Sequence, residues 1–258
     1  MRLRFLGTGT SFGIPVIGCR CDTCSGGAPK DQRTRHAVLL EQDGRRLLVD
    51  TPPELRLQLL AAGVGEVDAV WYTHQHADHT HGVDDLRVFS MNAGKAFQVY
   101  GSADCIETLR TKFDYVFDQL IQAQEGTFKP DGELHVLEPY TKVKLAGFDI
   151  IPLPVPHGPL EAYGFRVGNL GYITDAKELP ARTREMLSGV DVLVLNALWF
   201  TLPHPNHFNV EEAVEVAQEI GASRTYLTHI SHLASHAELE QRLPEGIMPA
   251  YDGLVVDI

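Results

Sequence analysis

Short apolar runs bounded by turn residues alternate along this chain with apolar stretches of helical spacing, the pattern of an α/β protein. The first strand is predicted at Leu3-Arg4-Phe5-Leu6, followed by the glycine-rich turn Gly7-Thr8-Gly9-Thr10-Ser11-Phe12-Gly13. Those glycines predict tight turns or a close backbone approach to a ligand, and their spacing is not the G-x-G-x-x-G of a dinucleotide site. Residues 37–40 and 46–50 read as a hairpin turning at Asp43-Gly44. Proline at the start and glycine at the end bracket a helix over 53–63. A strand at 67–72, a helix at 82–89, a strand at 97–100 and a helix at 103–112 follow. Between Phe113 and Leu134 the period is lost, and Phe113, Tyr115, Phe117 and Phe128 are expected to pack on the body, with a lid or a dimer contact as the alternative. Strands then dominate, at 135–137, 142–145, 148–153, 163–167, 170–175 and 191–195. Asn209 caps a predicted helix over 210–220, and a last strand covers 225–228. With no repeat, linker or low-complexity tract, residues 1–258 read as one domain.

The chemistry gathers where the apolar runs end. Directly after the strand at 67–72 comes Thr73-His74-Gln75-His76-Ala77-Asp78-His79, four metal-binding side chains within six residues. A strand fixes the backbone, so the turn beyond it can aim imidazoles and a carboxylate at one point. Neutral imidazole and carboxylate suit Zn, Mn or Fe better than Ca or Mg. His157 ends another apolar run, and so do Asp175 and His229. Strand ends on one rim of a sheet are where ligand sites of α/β proteins collect. Seven oxygen and nitrogen ligands exceed one tetrahedral ion and fit two divalent ions, about 3.5–4 Å apart, sharing a carboxylate. Asp50, also at a strand end, reads equally as a partner that orients a ligating histidine or as a turn residue.

Composition narrows the partners. A net charge of −12 argues against a nucleic-acid polymer or an anionic membrane as partner, although bound dications can reverse the sign inside a pocket. No apolar run approaches the ~20 residues that span a bilayer, and Met1–Gly7 lacks the apolar core of a signal peptide, so a cytoplasmic protein is expected. Arg33, Arg35 and Lys95 are candidate phosphate contacts, with a solvated surface position the better expectation for each. Three of the four cysteines crowd into Cys19-Arg20-Cys21-Asp22-Thr23-Cys24. In a reducing compartment that spacing favours a metal thiolate site, and a closed tetrahedron needs a fourth ligand, Cys or His, from a distant segment. Cys105 reads as a small buried apolar residue.

The set His74-x-His76-x-Asp78-His79, His157, Asp175 and His229 resembles that of the metallo-β-lactamase superfamily over nearly the whole chain. The opening Gly7-Thr8-Gly9-Thr10-Ser11, the run Gly18-Cys19-x-Cys21-x-x-Cys24, the late Thr228-His229-Ile230-Ser231-His232 and Asn206-His207 are most similar to the PhnP-type phosphoribosyl 1,2-cyclic phosphate phosphodiesterases. The resemblance implies an αββα four-layer sandwich of two mixed sheets flanked by helices. It implies one active-site ion (Mn or Zn) on His74, His76 and His157, a second on Asp78, His79 and His229, and Asp175 bridging. It further implies a structural zinc on Cys19, Cys21, Cys24 and His232, and a homodimer. The reaction implied is attack on a small phosphodiester by a hydroxide bridging the two ions. His207, placed with Asp78 among the catalytic residues, contacts the phosphate or protonates the leaving oxygen. His204 competes with His207 for that role, because the loop around them departs from the family's pattern, as does the segment 113–134.

Other functions on the same scaffold remain in view. A tRNA 3′-processing nuclease would need a basic arm that this acidic chain lacks. An ester or thioester hydrolase would use the same ions to polarise a carbonyl. A non-catalytic accessory protein of coenzyme biosynthesis would share the cysteine cluster, but an intact set of seven ligands speaks against it.

Overall fold

The computed structural model describes every residue, Met1–Ile258. Six strands build most of the first sheet: β1 (Arg2–Gly7), β2 (Ala37–Gln42), β3 (Arg45–Val49), β4 (Ala69–Trp71), β5 (Phe97–Gly101) and β6 (Gly132–Val136). The second sheet comprises β7 (Val143–Leu145), β8 (Phe148–His157), β9 (Leu160–Val167), β10 (Leu170–Tyr172), β11 (Val192–Asn196), β12 (Arg224–Thr228) and β13 (Ile247–Pro249). The chain end returns as β14 (Val255–Asp257) to pair with β1, so the sheet orders are β14-β1-β2-β3-β4-β5-β6 and β13-β12-β11-β10-β9-β8-β7. Both sheets are mixed: β3 to β6 and β10 to β13 run parallel, and their other pairs run antiparallel.

The nearly unbroken apolar runs follow from burial on both sheet faces. With a period of two, Leu47 and Val49 of β3 and Val192 and Val194 of β11 face the core between the sheets. Leu48 faces outward onto the helices α2 (Leu55–Ala62) and α5 (Ala103–Lys112), while Leu193 and Leu195 face α8 (Val210–Ile220). Three apolar clusters thus define four layers, helix–sheet–sheet–helix, the αββα sandwich. Capping follows the sequence signals. Gly63 ends α2 in a left-handed conformation, and Asn209 with Glu212 forms a capping box on α8. The Asp43-Gly44 turn has positive φ at both residues, as a two-residue hairpin requires.

The structure departs from the pattern in places. The helix expected over 82–89 splits into a 3₁₀ turn at Val83–Leu86 and a helix at Arg87–Ala93. Asp114–Phe117 forms one helical turn, which buries Phe117 against Phe97, while Phe128 is exposed. The strand expected over 148–153 continues to His157, through Pro152, Pro154 and Pro156. Those prolines fall on alternate residues, and β7 pairs with β8 only as far as Ile150. Their missing N–H groups therefore face the side that no strand occupies, and the ladder to β9 is intact. The glycine turn approaches the chain's own backbone: a Cβ on Gly7 would lie 2.0 Å from the Arg35 carbonyl oxygen.

Candidate metal centre

Four strand ends and one short helix converge on one rim of the sandwich. Beyond β4 the chain extends through Thr73, His74 and His76 and then winds into a single helical turn, Ala77–Thr80, that carries Asp78 and His79. His157 ends β8, Asp175 follows β10 and His229 follows β12. Asp50, Asp175 and His229 all have positive φ, 63°, 57° and 56°, a conformation that Asp and His tolerate better than most residues and that concentrates at functional sites.

The hydrogen bonds fix which nitrogen each histidine presents. Asp50 is fully buried; it accepts from the Thr73 amide (2.8 Å), the Thr73 hydroxyl (2.8 Å) and His79 Nδ1–H (2.7 Å). Since that hydroxyl donates to Asp50, it accepts from His74 Nδ1–H at 3.1 Å. His157 Nδ1–H donates to the Asn206 carbonyl at 3.3 Å. In each case the Nε2 lone pair is left facing the centre, the usual arrangement of a ligating histidine held by a partner behind it. Asp50 is thus an orienting residue, the first of the two roles its position allowed. Asn196, on β11, exchanges two hydrogen bonds with Ala176 (2.8 and 3.1 Å) and so fixes the turn that carries Asp175.

His74 Nε2 lies 2.9 Å and His157 Nε2 3.3 Å from His76 Nδ1. On the other side, His79 Nε2 stands 3.4 Å from Asp78 Oδ2 and 3.6 Å from Asp175 Oδ2. Asp175 Oδ1 lies 3.4 Å from His229 Nε2 and 3.0 Å from His207 Nε2. Asp175 therefore stands between the sets, one oxygen toward His79 and the other toward His229 and His207. All seven residues expected as ligands are brought together here.

The donor set fits divalent cations. His79 Nε2 is buried without a hydrogen-bond partner, and two converging Nε2 lone pairs at His74 and His157 repel unless a positive charge lies between them. Burial pushes the basicity of His74, His76 and His157 down, and that of His229 to about 4, so these rings stay neutral, the form that binds metal. Burial opposes ionisation of Asp175, but His229, His79 and the hydrogen bond from His207 outweigh it and hold the carboxyl well below its usual range. His79 is the exception: burial is outweighed by Asp175, Asp50 and Asp78, which raise it.

A second cluster lies where the N-terminal loop meets the turn after β12. Ile230 N–H donates to the Thr8 carbonyl (2.9 Å), which brings the two segments side by side. Cys19 Sγ and Cys21 Sγ each lie 3.4 Å from His232 Nδ1, and with Cys24 the four ligand atoms fall within 4.8 Å of one another. A tetrahedral zinc with usual bond lengths sets such a sulfur–nitrogen edge at about 3.6 Å. The hydrogen bond to His232 lowers the Cys21 thiol to about 6, whereas burial raises Cys24 to about 11.

Other predicted residues go elsewhere. Arg33 is buried, not solvated, and donates to Thr8 Oγ1 (2.7 Å) and the Ala250 carbonyl (2.6 Å), a staple between chain ends. Arg35 pairs with Glu54, and Lys95 is exposed near the starts of β3 to β5, at the far end of the sheet. Cys105 is buried in the layer outside the first sheet. One residue in the site carried no sequence signal. His36 is fully buried beneath the rings of His79 and His229, bonded to the Tyr172 hydroxyl and, at 3.0 Å, to Thr228 Oγ1. Its position just ahead of β2 resembles any strand start.

Two seven-stranded mixed sheets between helices, with a histidine–aspartate cluster at the strand ends, define an αββα protein with a candidate metal centre. The chain belongs to the metallo-β-lactamase superfamily, near the PhnP family: residues 45–230 match the model of the β-lactamase superfamily domain. A crystal structure described as a new diphosphatase from the PhnP family superposes with a TM-score of 0.90 at 39% identity, covering 100% of this chain and 97% of that one. An octanoyltransferase of Porphyromonas gingivalis is 36% identical over 256 residues, 98% of this chain, which spans only 51% of that protein's length. A ribonuclease Z of Pyrobaculum neutrophilum is 26% identical over 288 residues, covering 96% of this chain and 93% of that protein. The fold implies divalent metal ions, and no helix is long and apolar enough to cross a membrane.

Proposed function

We propose that this hydrolase is a dinuclear metal-dependent phosphodiesterase for a small substrate, of the phosphoribosyl 1,2-cyclic phosphate type or a related phosphate ester or anhydride. The observation that carries the reading is the position of Asp175, shared between the His79 side and the His229–His207 side of one cluster. His74, His76 and His157 would hold one cation, Asp78, His79 and His229 the other, with Asp175 reaching both. Bound there, divalent ions would supply an activated water and positive charge for the phosphoryl oxygens.

The chain's own residues do the rest. Asp50 and Thr73 keep His74 and His79 turned inward, and Asn196 holds the Asp175 turn. His207, half-buried beside Asp175, is the group placed to give a proton to the leaving oxygen. The 39% identity with a PhnP-family diphosphatase across the full chain supports a phosphorus centre. The cysteine cluster would hold a structural zinc that ties residues 19–24 to the His229 turn.

The test is turnover of bis(p-nitrophenyl) phosphate and of small cyclic phosphates with Mn or Zn added. Phosphodiester hydrolysis is expected, and His207→Ala should lose about 10²- to 10⁴-fold in rate while keeping its metal. A fully metallated protein that leaves every phosphodiester intact would overturn the reading. The octanoyltransferase relative supports a second one, carbonyl chemistry on an acyl thioester. Release of thiol from an octanoyl thioester in the same assay would favour it.

A further inference from the structure

His74, His79 and His157 each have a hydrogen bond behind the ring, but His229 has none: its Nδ1 is buried and meets no partner. The turn that carries it is fixed by backbone bonds, from the Ala197 amide to the Thr228 carbonyl (2.8 Å) and from the Ile230 amide to the Thr8 carbonyl (2.9 Å). The ring itself is held by other rings. His207 stacks on it at 5.0 Å between centroids, and His36 meets it edge-on from below at 6.1 Å. His36 in turn is fastened. By the period of two it shares the inner face of β2 with Val38 and Leu40, so it projects from the first sheet toward the second. There each ring nitrogen ends on a hydroxyl, Nε2 on Tyr172 at the end of β10, and Nδ1 on Thr228 at the end of β12 (3.0 Å). A hydroxyl can donate or accept, so both contacts hold whichever ring nitrogen carries the proton. Tyr172 lies three residues before Asp175, and Thr228 directly precedes His229. An imidazole buried between sheets is costly unless it is hydrogen-bonded, and an apolar side chain in this register would avoid that cost.

We propose that His36 is a positioning residue, a strut across the two sheets that holds His229 and, through it, the cation assigned to Asp78, His79 and His229. It acts on that ligand set from beneath and not on the substrate. The inference rests on the two-cation reading. The other cation's ligands, His74, His76 and His157, come from the ends of β4 and β8, and their rings pack on one another instead. Loosening the strut should therefore weaken one cation and spare the other.

The test titrates Mn²⁺, for which the thiolate cluster is a poor host, into protein stripped of active-site metal, with bound ions counted by native mass spectrometry. The wild type should take up two ions. His36→Leu removes both hydrogen bonds and should raise the second dissociation constant about 10- to 100-fold, with the first changed less than about threefold. Tyr172→Phe is gentler, since it removes one hydroxyl and keeps the ring, and should raise the second constant about three- to tenfold; it carries the test if His36→Leu does not fold. The double variant should be no worse than His36→Leu, because both changes act on one bridge. Paramagnetic resonance adds a signature: a spin-coupled Mn²⁺ pair in the wild type, and isolated Mn²⁺ in His36→Leu at the same metal concentration. Two ions weakened alike would make His36 a merely structural residue and overturn the proposal, as would two unchanged affinities. A wild type that binds a single ion would defeat the two-cation reading by itself. Crystal structures of the metal-free proteins then still decide whether the strut holds His229. Its Nε2 should keep the 3.4 Å separation from Asp175 Oδ1 in the wild type and lose it in the variants, and an unmoved ring would overturn the proposal.

Discussion

The two clusters of potential ligands in this chain are built differently. Around Asp175 the side chains hang from strand ends, most are buried, and three of the ligating faces are chosen by a hydrogen bond behind them: Asp50 on His79, Thr73 on His74, Asn206 on His157. Around Cys24 the ligands sit on a loop and a turn, Cys19, Cys21 and His232 are half-buried, and the backing is a single contact from the Val16 amide to Cys24 Sγ at 3.4 Å. The first arrangement is held by the chain's own hydrogen bonds. The second would draw more of its order from a bound ion, as structural zinc sites commonly do. Pre-organisation costs burial of polar groups and strained backbone at Asp50, Asp175 and His229, which a site that must orient a reacting atom repays in rate.

The comparison can be broken at several points. Asp175→Ala removes the carboxylate common to both sides and should lower turnover at least about a thousandfold with loss of metal, counted by mass spectrometry. Full metal content and retained rate would dissolve the shared site. Asp50→Ala leaves every ligand in place and takes away the backing, so about a 10- to 100-fold loss in metal affinity or activity is expected. Unchanged affinity would show that strand ends alone hold the histidines. Cys24→Ala should give the smallest effect on turnover, less than about tenfold with the active-site metal saturated, together with one metal fewer per chain and a lower melting temperature. A Cys24→Ala protein with unaltered metal content and melting temperature would remove the cysteine cluster from the set of metal sites.

Much of this architecture was legible because burial on both sheet faces writes nearly continuous apolar runs, and because ligands fall where those runs stop. His74, His76, Asp78 and His79 could be read from one segment. That His157 and His229 meet them required either the fold or a family resemblance, since nothing local links positions so far apart. Proline misled the reading of β8, where an open strand side tolerates what an interior strand would not. β13 and β14, three residues each, are too short to show a period. His36 was invisible for a physical reason: its value lies in what it touches across the sheets, Tyr172 and Thr228, and a lone histidine ahead of a strand carries no trace of that.

The alternate prolines of β8 have a consequence for the molecule's behaviour in a crowded solution. Beyond Ile150, where β7 stops, β8 has an open flank, and an open flank on an apolar strand invites a strand from another molecule, because free amides and carbonyls along it template pairing. Here that flank has no amide to offer at Pro152, Pro154 or Pro156, and two of its carbonyls are taken, Pro152 by the Tyr140 amide (2.9 Å) and Pro154 by the Thr183 hydroxyl (2.9 Å). The strand that delivers His157 is thereby sealed against foreign chains, and the protein can keep a long greasy ribbon beside its working rim without becoming a seed for aggregation.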